Sequence, residues 1–124
     1  MTKVNNVLLV EDDTWQAEHF ERQLQQHGYR VTLAGSAQEA IHQVDMARPD
    51  VIVLDLMLPG TNGIAVLHEL RSYADTGLIP VIMCSSIANN LSREQLSAYG
   101  VVSIIDKTTI QPDELVVAVR GALL

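Results

Sequence analysis

In this 124-residue chain, groups of polar residues repeatedly follow runs of apolar ones. Glu11, Asp12 and Asp13 come directly after Val7–Val10, Asp55 after Val51–Leu54, and Ser85 and Ser86 after Ile79–Cys84, while Lys107 stands just beyond Val101–Ile105. Carboxylates gathered in one place repel one another and raise at least one pKa unless a divalent cation neutralises them. Mg²⁺ suits such a set, because it takes one or two carboxylates and completes its octahedron with waters and phosphate oxygens. Lys107 is one of only two lysines in the chain, and its fixed positive charge can hold a phosphoryl oxygen. Ser85 adds a hydroxyl donor.

These residues can meet only if the apolar runs are neighbouring strands of one sheet. The intervening segments read as helices. Ala17, Phe20 and Leu24 recur at spacings of three and four between Thr14 and His27, with Gly28 as the stop. Ser36 and Glu39 form a capping box ahead of Ala40, Ile41 and Val44, and Pro49 closes that helix. After the turn-rich Pro59–Gly63, a third helix carries Ile64, Leu67 and Leu70 on one face; a fourth runs from Leu91 to Tyr99, and a fifth opens at Pro112 with Asp113 and Glu114 in its first turn. Val31 and Leu33 mark a half-buried strand, whereas Val51–Leu54 is apolar on both faces, as a central parallel strand must be. The expectation is an α/β fold: a five-stranded parallel sheet, doubly wound as (βα)5. In such sheets ligands sit beyond the strand C-termini, at the topological switch point. All the polar groups named above fall there.

Composition limits the alternatives. With 48% hydrophobic residues and a net charge of −7, the chain has the material for one globular domain over residues 1–124. Eight basic residues against fifteen acidic ones deny it a basic stripe, so direct nucleic-acid binding is not expected. No apolar run approaches the roughly 20 residues a membrane span needs, and no secretory signal is visible, which predicts a cytoplasmic protein with no membrane partner. A lone cysteine, Cys84, excludes a disulfide framework and reads as a small buried hydrophobe.

Four segments, Val10–Asp13, Asp55–Gly63, Pro80–Ser85 and Ile104–Lys107, resemble the receiver domain of two-component response regulators, in the right order and over the whole chain. The resemblance implies a flavodoxin-like fold with strand order 2-1-3-4-5. It implies further that Asp55 is the phosphoacceptor, that Glu11, Asp12, Asp55 and the Met57 carbonyl hold Mg²⁺, and that Ser85 and Lys107 contact the phosphoryl group. The domain would then take its phosphoryl group from a histidine kinase or histidine phosphotransfer protein. It would catalyse only its own phosphorylation and dephosphorylation, and switch a surface read by a downstream protein or an effector domain. By the same resemblance that surface comprises the fourth helix, fifth strand and fifth helix.

The sequence departs from the family pattern at four positions. Thr108 stands where a proline usually follows the lysine; a cis bond there costs about 2.5–4 kcal/mol, which predicts a trans or a strained loop. Ile104 replaces the family's switching aromatic. Met57 and Ile87, two residues after Asp55 and Ser85, flank the path of a hydrolytic water and cannot orient it by hydrogen bonding, so self-dephosphorylation should be slow.

Each reading has a plainer competitor. Asp13 serves as well as a helix cap, and Lys107 as a solvated lysine. Trp15, the only tryptophan, reads as an anchor at the helix start. His19, His27, His42 and His68 lie on helices away from the strand ends and receive no role. A pseudo-receiver that binds partners without phosphorylation is the alternative function, suggested by Thr108 and Ile104. An aspartyl phosphohydrolase usually needs a second acid two residues after the nucleophile, where this chain has Met57. Flavin binding lacks its glycine- and hydroxyl-rich phosphate cradle.

Overall fold

The computed structural model describes residues 3–58, 61–73, 76–86 and 92–124. Five strands, β1 (Asn6–Val10), β2 (Arg30–Ala34), β3 (Val51–Leu54), β4 (Val81–Ser85) and β5 (Val101–Asp106), form one sheet among the described residues. The helices are α1 (Thr14–Gln26), α2 (Ala37–Met46), α3 (Gly63–Arg71), α4 (Arg93–Ala98) and α5 (Glu114–Ala122). The sheet is parallel throughout, with strand order β2-β1-β3-β4-β5, the flavodoxin-like order expected. A short antiparallel pairing, Met57–Leu58 with Thr61–Asn62, follows β3, where the sequence suggests only turns.

Strand periodicity divides the core in two. Leu8, Val10, Ile52, Leu54, Val81 and Met83 face α2, α3 and α4, where Val44, Leu67 and Leu96 meet them. Val7, Leu9, Val51, Val53, Ile82 and Cys84 face Phe20 and Leu24 of α1 and Leu115, Val116 and Val119 of α5. Adjacent residues point to opposite faces of a strand, so a run apolar at every position is what a sheet covered on both sides requires.

Helix ends follow local chemistry. α1 closes in a Schellman motif: the Gly28 amide donates to the Gln25 carbonyl (3.0 Å), the Tyr29 amide to Leu24 (3.2 Å), and Gly28 takes φ +89°, a conformation that suits glycine. At α2 the Ser36 hydroxyl accepts from the Glu39 amide, but the Glu39 carboxylate reaches the Gly35 amide at 2.8 Å rather than that of Ser36. β4 begins at Val81 and not at Ile79, because Pro80 has no N–H for the ladder. α5 begins at Glu114, two residues after Pro112, with its carboxylate accepting from the Gln111 amide (3.1 Å). Of the predicted fourth helix, Leu91 lies outside the described residues, and Ser92 caps α4 through the Gln95 amide.

At the N-terminal edge of the sheet, the Asp50 carboxylate accepts from the Asn6 amide (2.8 Å) and Lys3 Nζ (2.9 Å), fastening the start of β1 to the start of β3. Burial pushes the Asp50 carboxyl up, but the Asn6 amide and the Lys3 ammonium outweigh it and hold it below its ordinary value of 3.8. A carboxyl lowered on folding adds stability above its unfolded pKa and loses it as pH falls through the folded one. Asp50→Asn should therefore cost about 1 kcal/mol at neutral pH. In urea unfolding the gap between the two proteins should close in acid below the aspartate range.

Candidate functional site

The register of the sheet decides which side chains meet. Val10 pairs with Leu54, so Glu11 and Asp55 leave adjacent central strands side by side. Ser85 pairs with Asp106, which places Lys107 one residue past the end of β5. The Val81/Ile82 irregularity in that pairing sets this register, since Val81 faces Val101 but Ile82 faces Ser103. Ladder bonds continue one step past the strands: the Glu11 amide donates to Ala34 (2.9 Å), Asp55 to Val10 (3.0 Å) and Lys107 to Ser85 (3.1 Å). These candidate residues are therefore held by backbone that behaves as sheet. Gly63, at the start of α3, closes the arrangement from below, because a Cβ there would lie 2.8 Å from the Asp55 carbonyl oxygen and 2.9 Å from Leu56 Cα.

Lys107 Nζ donates to Asp55 Oδ2 at 2.9 Å and to Glu11 Oε1. Both carboxylates and the ammonium are largely buried. Asp55 Oδ1 accepts from the Met57 amide at 3.0 Å. One ammonium cannot neutralise two buried carboxylates. Burial pushes the Glu11 carboxyl up to about 7, against the pull of Lys107 and with the help of Asp55's charge. Burial would lower the Lys107 ammonium, but its bonds to Glu11 and Asp55 outweigh that and raise it. The surplus negative charge calls for a proton or a second cation.

Asp12 brings a third, exposed carboxylate. Glu11, Asp12 and Asp55 can each offer an oxygen such that all three lie within 4.8 Å of one another. Oxygens bound to one Mg²⁺ at about 2.1 Å stand about 3–4 Å apart, within reach of small side-chain rotations. The residues fit a hard divalent cation. They border an open depression whose rim includes Met57, Ser86, Lys107 and Thr108.

Other expectations fare variously. Asp13 is the α1 cap, its Oδ1 accepting from Trp15 N (3.0 Å) and Gln16 N (3.1 Å). Trp15 is 81% exposed and anchors nothing, because the capped first turn points it outward. Ser85 is completely buried at the end of β4, and Ser86 lines the depression in its place. The peptide before Thr108 is trans. What holds that loop is Asp106, whose Oδ1 accepts from the Thr108 amide (2.9 Å) and hydroxyl (2.6 Å). This Asx-type turn, whose signal in the sequence is Asp-x-Thr, holds the loop with Lys107 pointing inward, so the solvated-lysine reading falls. Ile104 and Tyr99 are each half-buried against the α2–α4 core, and His68 of α3 meets Tyr99 edge-on at 5.7 Å. Burial pushes the Cys84 thiol up to about 12, as befits an inert core residue. Ile87 lies outside the described residues.

Glu11 makes the charge balance measurable. Its folded pKa stands above its unfolded value of 4.5, so its contribution to stability is fully present below 4.5 and is lost as pH rises through about 7. In chelator, wild type should lose about 1–3 kcal/mol relative to Glu11→Gln across that interval. Chemical unfolding of both proteins as a function of pH checks this; parallel curves would contradict it.

Comparison with known proteins agrees with the geometry. The DNA-binding response regulator MtrA of Mycobacterium tuberculosis is 35% identical over 122 residues, covering 98% of this chain and 52% of the relative. The chain thus spans about half the length of that curated relative. Among solved structures, the response regulator TrrA of Thermotoga maritima, in complex with Mg²⁺-BeF, superposes with a TM-score of 0.83 at 25% identity, covering 97% of this chain and 100% of the other. The signal receiver domain of a signal transduction histidine kinase from Syntrophus aciditrophicus gives a TM-score of 0.82 at 27% identity, covering 97% and 90%. Residues 7–120 match the response regulator receiver domain family, and the chain belongs to it.

Proposed function

We propose that this receiver domain accepts a phosphoryl group on Asp55 from a histidine kinase or histidine phosphotransfer protein and uses it to switch a partner-binding surface. The observation that carries this reading is the convergence of Glu11, Asp12, Asp55 and Lys107 from three strand ends on one open depression. An Asp55 oxygen attacks phosphorus as the phosphorus–nitrogen bond of the donor, protonated on its other ring nitrogen, breaks with its electron pair going to nitrogen, leaving a neutral imidazole and an acyl phosphate. Lys107 moves from carboxylate to phosphoryl oxygen, keeping its charge paired throughout. Glu11, Asp12 and Asp55, with the Met57 carbonyl, would hold Mg²⁺, which when bound neutralises charge on the transferring oxygens. The Mg²⁺-BeF complex of TrrA supports that assignment. Ser86 borders the depression, and Ser85, buried at the end of β4, is assigned the contact with the phosphoryl group.

The pseudo-receiver alternative finds no support: its grounds were Thr108 and Ile104, and Lys107 reaches both carboxylates regardless. The domain catalyses only its own phosphorylation and dephosphorylation. No described helix is long and apolar enough to cross a membrane, and we place the domain in the cytoplasm. With a net charge of −7 it is a poor ligand for a phosphate backbone, so any DNA contact belongs outside this domain. The downstream target is a protein surface. Turning a 1:99 equilibrium into 99:1 takes about 5.5 kcal/mol of preference between states, which a few charge-assisted bonds from the phosphoryl group can supply.

Intact-mass spectrometry after incubation with acetyl phosphate and Mg²⁺ should show one added phosphoryl group. Asp55→Asn and a chelated sample should show none; no addition from either acetyl phosphate or a phosphohistidine donor would overturn the reading. Met57 offers a passing water no strong hydrogen bond, so the phosphoryl group should be long-lived. Met57→Asn, which supplies an amide, should shorten its half-life by about tenfold, measured as decay of the added mass.

A further inference from the structure

We infer that Met57 is an oxidation site through which a peroxide shortens the lifetime of the phosphorylated state. The inference rests on the assignment of Asp55 as phosphoacceptor. Among the described sulfur atoms, those of Met83 and Cys84 are sealed in the core, and only Met46 and Met57 are exposed, at 70% and 55%. Cys84 is further protected because its burial disfavours the reactive thiolate. Met46 ends α2, away from the depression. Met57 borders the depression itself, and its own amide donates to Asp55 Oδ1 at 3.0 Å. Met57 thus lines the same depression as Asp55 and is open to small oxidants from solvent.

The chemistry is balanced by the peroxide alone. A lone pair of the thioether sulfur attacks one peroxide oxygen, the O–O bond breaks, and the departing hydroxide takes up the proton released as the sulfoxide forms, giving water. Sulfur loses two electrons and the peroxide gains them; a sulfoxide reductase reverses the change. The product differs from the thioether in the property that matters here. A thioether is a feeble acceptor, whereas the sulfoxide oxygen is a strong one. Held at the rim, it can hydrogen-bond a water as that water attacks phosphorus. The bond between phosphorus and the Asp55 oxygen then breaks, and the products are the free carboxylate and inorganic phosphate, with the water's protons passing to phosphate and solvent. Oxidation thus converts a side chain that cannot orient water into one that can.

The test treats wild type, Met46→Leu and Met57→Leu with dilute hydrogen peroxide, locates sulfoxide by peptide mass mapping, and then follows loss of the phosphoryl group by intact mass. Phosphoryl half-life should fall by about tenfold in oxidised wild type and Met46→Leu, the factor expected of one added hydrogen bond. Met57→Leu should decay at the same rate with and without peroxide. Treatment of oxidised wild type with methionine sulfoxide reductases of both epimer specificities should restore the original half-life. Three results would overturn the inference: no sulfoxide at Met57, an unchanged or longer half-life once it is there, or an equal response in Met57→Leu. Failure of the untreated protein to accept phosphate would instead strike at the assignment of Asp55, which separates the two ideas.

Discussion

Two buried carboxylates share one ammonium at the centre of this domain, and most of the architecture can be read as the means of holding them there. Taking a carboxylate out of water costs several kcal/mol, and a pairing that leaves one charge over does not return it in full. Replacing Glu11, Asp55 and Lys107 with apolar residues would be the obvious route to a more stable protein. Their presence together in one small space, with Glu11 pushed up to about 7, leaves a surplus of negative charge that a cation can take up. Stability comes from below, where each strand is apolar on both faces and helices cover both sides. The ladder bonds that run one residue past the strands extend that rigidity to the charged side chains themselves.

Much of this was legible in the sequence because strand ends are marked by an abrupt change of polarity. Four aliphatics followed at once by Asp55, or by Glu11 and Asp12, give both a central strand and its functional end. Strand order is another matter: alternation of strands and helices indicates a parallel sheet, but the 2-1-3-4-5 order came from family resemblance and was then met in the fold. Capping was readable at Asp13 because the acceptor acts within three residues. Effects that depend on a second segment were less accessible. The exposure of Trp15, the burial of Ser85 and the irregular pairing of β4 with β5 follow from what packs where. The need for glycine at 63 is of the same kind, since it arises from the Asp55 backbone eight positions earlier.

Lys107 shows how a local rule can be read too narrowly. Measured against a proline, Thr108 looks like a loss of constraint on the loop. Yet Asp106 accepts two hydrogen bonds from Thr108 and, through its carbonyl, one from the Thr109 amide at 3.2 Å. An Asx-type turn supplies by hydrogen bonding the restraint that a proline ring supplies by covalent geometry. Both solutions keep the lysine pointed at the strand ends, and the second needs no special peptide conformation.

The same loop bears on how a change at Asp55 can leave the site. Lys107 is tied by its side chain to Asp55 and Glu11 and by its amide to the Ser85 carbonyl, 3.1 Å away. A pull on the ammonium therefore acts on β4 and β5 together. Three residues upstream, Ile104 packs against the α2–α4 core, as does Tyr99, whose ring meets His68 of α3. An aliphatic side chain at 104 cannot flip between inner and outer positions as a ring with a polar tip can, because it has no polar end to present to water. β5 packs on α4 and α5, so a shift of its backbone bears on both helices. Interiors packed at crystal-like density favour a few discrete arrangements over continuous deformation, and a displacement of the β5 end thereby becomes a choice between surfaces.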